Sequence, residues 1–138
     1  MNLTSIIEII KQYLKVDQRV ASTIVDNVYE AWNRTNSSKQ YMSAVVDFVT
    51  SNYNADYCDY NFIIYVGSVI NEQQSNIYPL FSVADSIIQQ FLHKIDVDDN
   101  ELNLVIPDVI TPFSQKFEDV IAGCYCQFTV RVSADIIC

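Results

Sequence analysis

The chain predicts an α+β fold: a mainly antiparallel sheet of four to five strands, with an N-terminal helix and one long helix packed on it. Three observations lead there. Ile6, Ile9, Ile10, Tyr13 and Leu14 recur at helical spacing near the start. Leu80, Val83, Ala84, Ile87, Ile88, Phe91, Leu92 and Ile95 form a broader helical stripe between Ser75 and Ile95. After Gly123 the residues alternate, with Cys124, Cys126, Phe128, Val130 and Val132 on one face and Tyr125, Gln127, Thr129 and Arg131 on the other. A period near 3.6 marks an amphipathic helix, and a period of two marks a half-buried strand.

In chain order, the first helix is expected over Ser5 to Lys15. Ser5 and Glu8 have the spacing of a capping box, and Glu8, Lys11, Gln12 and Lys15 fall on the outer side. Asp17 to Asn33 supports two readings. Val20, Ile24, Val28 and Ala31-Trp32 fit a helix, whereas Val, Thr and Ile dominate Ser22 to Val25 as in a strand. Asn33 to Gln40 is a polar turn. Tyr41 to Val49 and Asp59 to Ile70 then alternate as two strands of a long hairpin, separated by the turn residues Asn52, Asn54 and Asp56. Met42, Ala44, Val46 and Phe48 share one face of the first strand, and Tyr60, Phe62, Ile64 and Val66 one face of the second. In the long helix, Pro79 sits near the start, where its missing amide costs little, and His93 and Lys94 fall in the last turn. Leu102 to Ile106 reads as a short strand. Pro112 breaks any ladder there, so Val109 to Phe117 reads as a bulged or looped approach that anchors Phe113 and Phe117 and turns at Gly123.

With 138 residues, half of them hydrophobic, and only 2 Gly and 3 Pro, the chain suits a single domain, 1–138, with no linker or repeat. The net charge is −9, with no Lys or Arg cluster to neutralise phosphates, so specific nucleic-acid binding is not expected. Neither is a membrane contact: there is no basic patch, no apolar run near the roughly 20 residues of a span, and no signal-peptide pattern at the N-terminus. The sequons at Asn2, Asn33 and Asn36 are chance matches without secretion. Of the four cysteines, Cys124 and Cys126 point to the same side of one strand, a poor disulfide geometry. Together with Cys58, Cys138 and the single histidine they make a poor zinc pattern. Buried thiols in a reducing cytoplasm are the simpler reading.

Asp96, Asp98 and Asn100 match the first ligand positions of a calcium loop, but Glu101 stands where the loop needs Gly and Pro107 where it needs Glu. No phosphate loop, nucleophile elbow or metalloprotease motif occurs, so neither catalysis nor a cofactor or metal is expected.

Thr111-Pro112-Phe113, Lys116-Phe117, Asp119, Ala122-Gly123 and the run Phe128-Thr129-Val130 resemble the C-terminal signature of small virion proteins of tailed phages infecting Bacteroidetes, the crAss-like phages above all. The order of elements resembles that of tail-completion, or tail-terminator-like, proteins. The motif covers about two dozen residues, and the layout covers the whole chain. The resemblance implies a strand over roughly Val20 to Trp32, and a subunit that forms an oligomeric ring in the phage neck or tail as a head–tail connector. Its partners would be copies of itself and neighbouring ring or portal proteins. DNA would pass through without specific binding, and the protein would assemble in the host cytoplasm and reside in the virion. On this reading Tyr53, Tyr57, Phe113 and Phe117 are candidate interface residues. Asp56, Asp59, Asp98, Asp99 and Glu101 are candidate channel-facing acids; with Asp96, Glu118 and Asp119 they make three exposed-turn clusters, of which at least one is expected to line the lumen, the alternative being that these carboxylates keep the outer wall soluble. Without the resemblance, the residues support only an acidic, soluble α+β domain; the alternative function is a small acidic adaptor or protein-binding module acting as a monomer or dimer.

Overall fold

The computed structural model describes residues 2–25, 42–70, 76–98, 103–105, 109–116 and 121–133. Helix α1 (Leu3–Lys15) starts two residues before the expected Ser5. Its cap is Asn2, whose side-chain oxygen accepts the Ser5 amide at 2.9 Å and the Ser5 hydroxyl at 3.1 Å. Asn caps a helix as well as Ser does, and it wins here because its oxygen reaches the third helical amide. Glu8 is thereby released to lie 3.8 Å from Lys11.

Strand β1 (Val20–Val25) settles that short segment as extended, as its Val, Thr and Ile content favours. The rest of the ambiguous segment, 26–33, lies outside the described residues. β2 (Met42–Tyr53) and β3 (Tyr57–Val69) form the expected hairpin. Asn54 closes its turn: its side-chain oxygen accepts the amides of Asp56 (2.8 Å) and Tyr57 (2.9 Å), and its own amide donates to the Tyr57 carbonyl (3.0 Å). Helix α2 (Ile77–Asp98) runs past Ile95, so His93 and Lys94 sit before its last turn rather than in it, and Asp96 and Asp98 are helical instead of opening a loop. β4 (Asn103–Val105) is followed by β5 (Thr111–Lys116) and β6 (Ile121–Ser133).

The sheet order is β1-β2-β3-β6-β4, with β5 also paired to β6. Because β4 pairs with Thr129–Arg131 and β5 with Ile121–Tyr125, the two short strands lie end to end along one flank of β6. The sheet is thus an open one in which six strands take five positions. All pairs are antiparallel except β1 with β2, which is parallel.

Two expectations are corrected here. Pro112 does not exclude a ladder: it sits in β5, an edge strand, where a missing amide is tolerated, and the strand is bulged between Phe113 and Lys116. Gly123 is not a turn but lies inside β6, directly opposite Gly67 of β3.

Both helices cover the same face. Ile6, Ile10 and Leu14 of α1, and Ala84, Ile87, Ile88, Phe91 and Ile95 of α2, share one core with Ala44, Val46, Phe62, Ile64, Val66, Cys126, Phe128 and Val130. The faces assigned from alternation are therefore the observed ones. A second, smaller cluster of Val45, Phe113 and Ile121, flanked by Tyr65 and Tyr125, lies on the opposite face.

Cys58, Cys124 and Cys126 are free and buried. Burial pushes the Cys124 and Cys126 thiols up to about 11, with the Asp85 carboxylate adding to the shift at Cys124. Only the thiolate attacks electrophiles. At pH 7.5 a maleimide should leave both unlabelled in the native chain and label both after denaturation. Peptide mass mapping checks this, and native labelling of either would show that the strand opens.

Candidate interaction surface

On the face turned away from the helices, the register of β2, β3, β6 and β4 aligns polar side chains in rows. One row contains Thr50, Asn61 and Thr129. Thr129 Oγ1 donates to Asn61 Oδ1 at 2.7 Å, and Asn61 Nδ2 donates to Thr50 Oγ1 at 3.0 Å. The next contains Asp59 and Arg131, joined by two bonds, from Nε to Oδ1 at 2.8 Å and from Nη2 to Oδ2 at 3.0 Å. The guanidinium also lies 3.8 Å over the Tyr57 ring. Paired donors and acceptors of this kind lock the register of three strands, since each would lose its partner on a slip.

Beyond these rows the hairpin reaches its turn. Tyr53 is 75% exposed, and the whole stretch Val49–Tyr53 is exposed although adjacent side chains point to opposite faces. Neither face of β2 is covered there. Asp56 is exposed at the tip. β4 begins at Asn103, opposite Arg131, so it enters the sheet at this same end.

The candidate residues thus separate. Tyr53 and Asp56 stand at an exposed tip. Tyr57 is occupied by Arg131. Asp59 is not a turn acid: it lies within β3 and is neutralised by Arg131, because the alternation that faces it outward also sets it across from a cation on β6. Phe113 is 5% exposed, packed edge-on to Tyr65 at 6.0 Å and tilted against Tyr125 at 6.3 Å, so it serves its own sheet. Asp98 ends α2. Phe117, Asp99, Glu101, Glu118 and Asp119 lie outside the described residues. The pairing of Asp59 with Arg131 was not visible in the sequence, since it depends on the β3–β6 register across 72 positions.

A second polar knot fastens the loop after α1 to α2. Arg19 donates to both oxygens of Asp17 (3.0 and 2.7 Å), to Ser86 Oγ (2.9 Å) and to Gln90 Oε1 (2.9 Å). The Arg19 side chain bonded to Asp17 holds that carboxyl below its usual range despite partial burial. A carboxyl with a depressed folded pKa adds stability above its unfolded value, near 3.8, and that stability is lost as pH falls through the folded value. Asp17→Asn should cost about 1.5 kcal/mol at neutral pH, as for a hydrogen bond to a charged group. It should also flatten the loss of stability below pH 4. Urea titrations at pH 7 and pH 3 check both.

Among the described residues no group of three His, Cys, Asp or Glu side chains is placed to hold a metal ion, and no helix is long and apolar enough to cross a membrane. His93 lies with Gln89, Gln90 and Lys94 along a shallow, open depression on α2.

The fold and surface define an α+β chain with a sheet that is not closed, both described helices on one face and polar rows on the other. No family model and no curated protein matches it. Among solved structures it is similar to the core region of PilO from the type IV pilus system of Pseudomonas aeruginosa. That likeness has a TM-score of 0.36 and 10% identity, and it covers 78% of this chain and 91% of that one.

Proposed function

We propose that the chain is a structural subunit that assembles with copies of itself into a ring of a phage neck or tail, around a passage in which double-stranded DNA slides. The motif from Thr111 to Val130 supports the phage assignment. The structural observation in favour is the hairpin end, where Val49 to Asp56 are exposed and offer contact area. Tyrosine at such a tip offers large contact area at small entropic cost. Neighbouring neck, tail or portal proteins would stack on the ring. Acids such as Asp56 would line the passage and keep DNA from adhering, since affinity for DNA comes from Lys and Arg on phosphates.

Sedimentation velocity and electron microscopy of the purified protein test this. Closed rings are the expected result. A chain that stays monomeric or dimeric at every concentration would instead support the acidic adaptor reading. Each subunit carries a charge of −9, so subunits repel at long range. Assembly should strengthen as salt rises from 0.05 to 0.5 M, because screening shortens that repulsion. A lumen lined mainly by Lys11, Lys15 or Arg19 would reverse the DNA argument.

A further inference from the structure

Two patches, far apart in one chain, match in charge and in apolar surface. The first is the end of α1. Residues 1–19 hold Lys11, Lys15 and Arg19 against Glu8 and Asp17, a balance of +1 in a chain of −9. Lys11 lies 3.8 Å from Glu8, and Arg19 takes both oxygens of Asp17. Lys15 is exposed and has no ion pair among the described residues. Four positions back stands Lys11, and like charges at that spacing repel. Val16, which caps the helix beside Lys15, is 65% exposed.

The second patch is the hairpin tip. Asp56 is exposed there, and its carboxylate has no ion pair among the described residues. Tyr53 is 75% exposed. Asn54 holds the amides of Asp56 and Tyr57, so the turn keeps one shape before any contact and little ordering entropy is lost on docking. Each patch thus carries one unpaired charge, of opposite sign, next to an exposed apolar side chain.

The patches cannot meet within one chain. Val20 pairs with Met42, and its amide donates to the Asp17 carbonyl at 3.1 Å, so α1 ends close to the start of β2. Met42 and Tyr53 are the first and last residues of that strand, which at about 3.3 Å per residue sets them roughly 35 Å apart.

We infer that the hairpin tip of one copy docks on the end of α1 of a second copy, with Asp56 against Lys15 and Tyr53 against Val16. The inference rests on the self-assembly reading and deepens it by naming the contact. It also narrows that reading, since Asp56 then faces a neighbouring chain rather than the passage. The contact joins two different patches, so each added copy still offers a free tip or a free helix end, and the series closes as a ring or runs on as a filament. One exposed pair is small beside the repulsion between chains of −9, so salt still favours assembly.

Charge reversal separates this contact from general repulsion. Each reversal changes the net charge by two, so Lys15→Glu takes it from −9 to −11 and Asp56→Lys from −9 to −7. If repulsion alone governed assembly, D56K would assemble more readily than the wild type. The contact requires the opposite. Both variants set like charges face to face, so each should need about tenfold more protein to assemble in sedimentation velocity. The double variant K15E/D56K, again at −9, should assemble within about twofold of the wild type, because the pair is restored with its signs exchanged. Tyr53→Ala, which changes no charge, should also need about tenfold more protein.

Circular dichroism and urea midpoints confirm that the variants are folded. If D56K is not, Asp56→Asn replaces it, and weaker assembly is again expected where repulsion alone would strengthen it. D56K assembling as readily as the wild type, or a double variant no better than K15E, would overturn the contact and leave the ring reading standing. A wild-type dimer, lost in each single variant and regained in the double, would keep the contact as a reciprocal one and end the ring reading. A wild-type chain that is monomeric at every concentration would end both.

Discussion

Gly123→Ala is expected to destabilise the chain by more than about 3 kcal/mol, beyond the usual cost of an overpacked core. A Cβ there would lie 1.9 Å from the Val66 carbonyl oxygen and 2.6 Å from the Gly67 Cα. These are backbone atoms of β3, held between β2 and β6 by ladders on both sides, so no side chain can move aside to make room. Relief requires parting the two central strands. Gly67→Ala should cost less, since its nearest collision, with the Ala122 carbonyl oxygen, is at 2.7 Å. Urea denaturation measures both. A loss below about 1 kcal/mol for Gly123→Ala would show that the strands do not pinch together there.

Phe128→Ala should cost about 3–5 kcal/mol, the range for truncating a buried phenylalanine. Its ring is 2% exposed, stacks on Phe62 at 5.4 Å and meets Phe91 of α2 edge-on at 5.6 Å. The substitution removes volume and both aromatic contacts at the joint between sheet and helix. Gln127→Ala, one residue away on the other face and exposed, should stay within about 0.5 kcal/mol. Thermal or urea midpoints of the pair compare the two faces directly, and equal losses would contradict the face assignment.

Alternation made the faces of β2, β3 and β6 legible, because one side of each strand had to be apolar to meet the helices. The same logic made both helices legible through their stripes. Local chemistry misled where two good partners compete: Asn2 and Ser5 both cap well, and only the path of the chain decides between them. Pro112 argued against a strand, yet a proline is harmless on an outer edge, and no local pattern says which strand will be outermost. Strand order, the parallel β1–β2 pair and the Asp59–Arg131 bridge depend on contacts between distant segments. For the same reason the candidate surface was only half legible. The exposed tyrosine at the hairpin turn could be read from composition, but the stacking of Arg131 over Tyr57 could not, because it depends on the register of β3 against β6.

The position of β6 also governs when the chain can fold. It is the last of the described strands in sequence, yet it lies between β3 and the β4–β5 flank and supplies much of the core. Until it emerges during synthesis, α2 has only part of its docking surface, and one whole side of β3 lacks its ladder. Local hairpin closure of β2 and β3 can come early, but the β3–β6 pairing that unites the core joins segments about half the chain apart, which makes folding slow relative to a helical protein of this length. A nascent chain lacking β6 presents a long apolar strand with an open side, the kind of surface that chaperones capture and that otherwise aggregates.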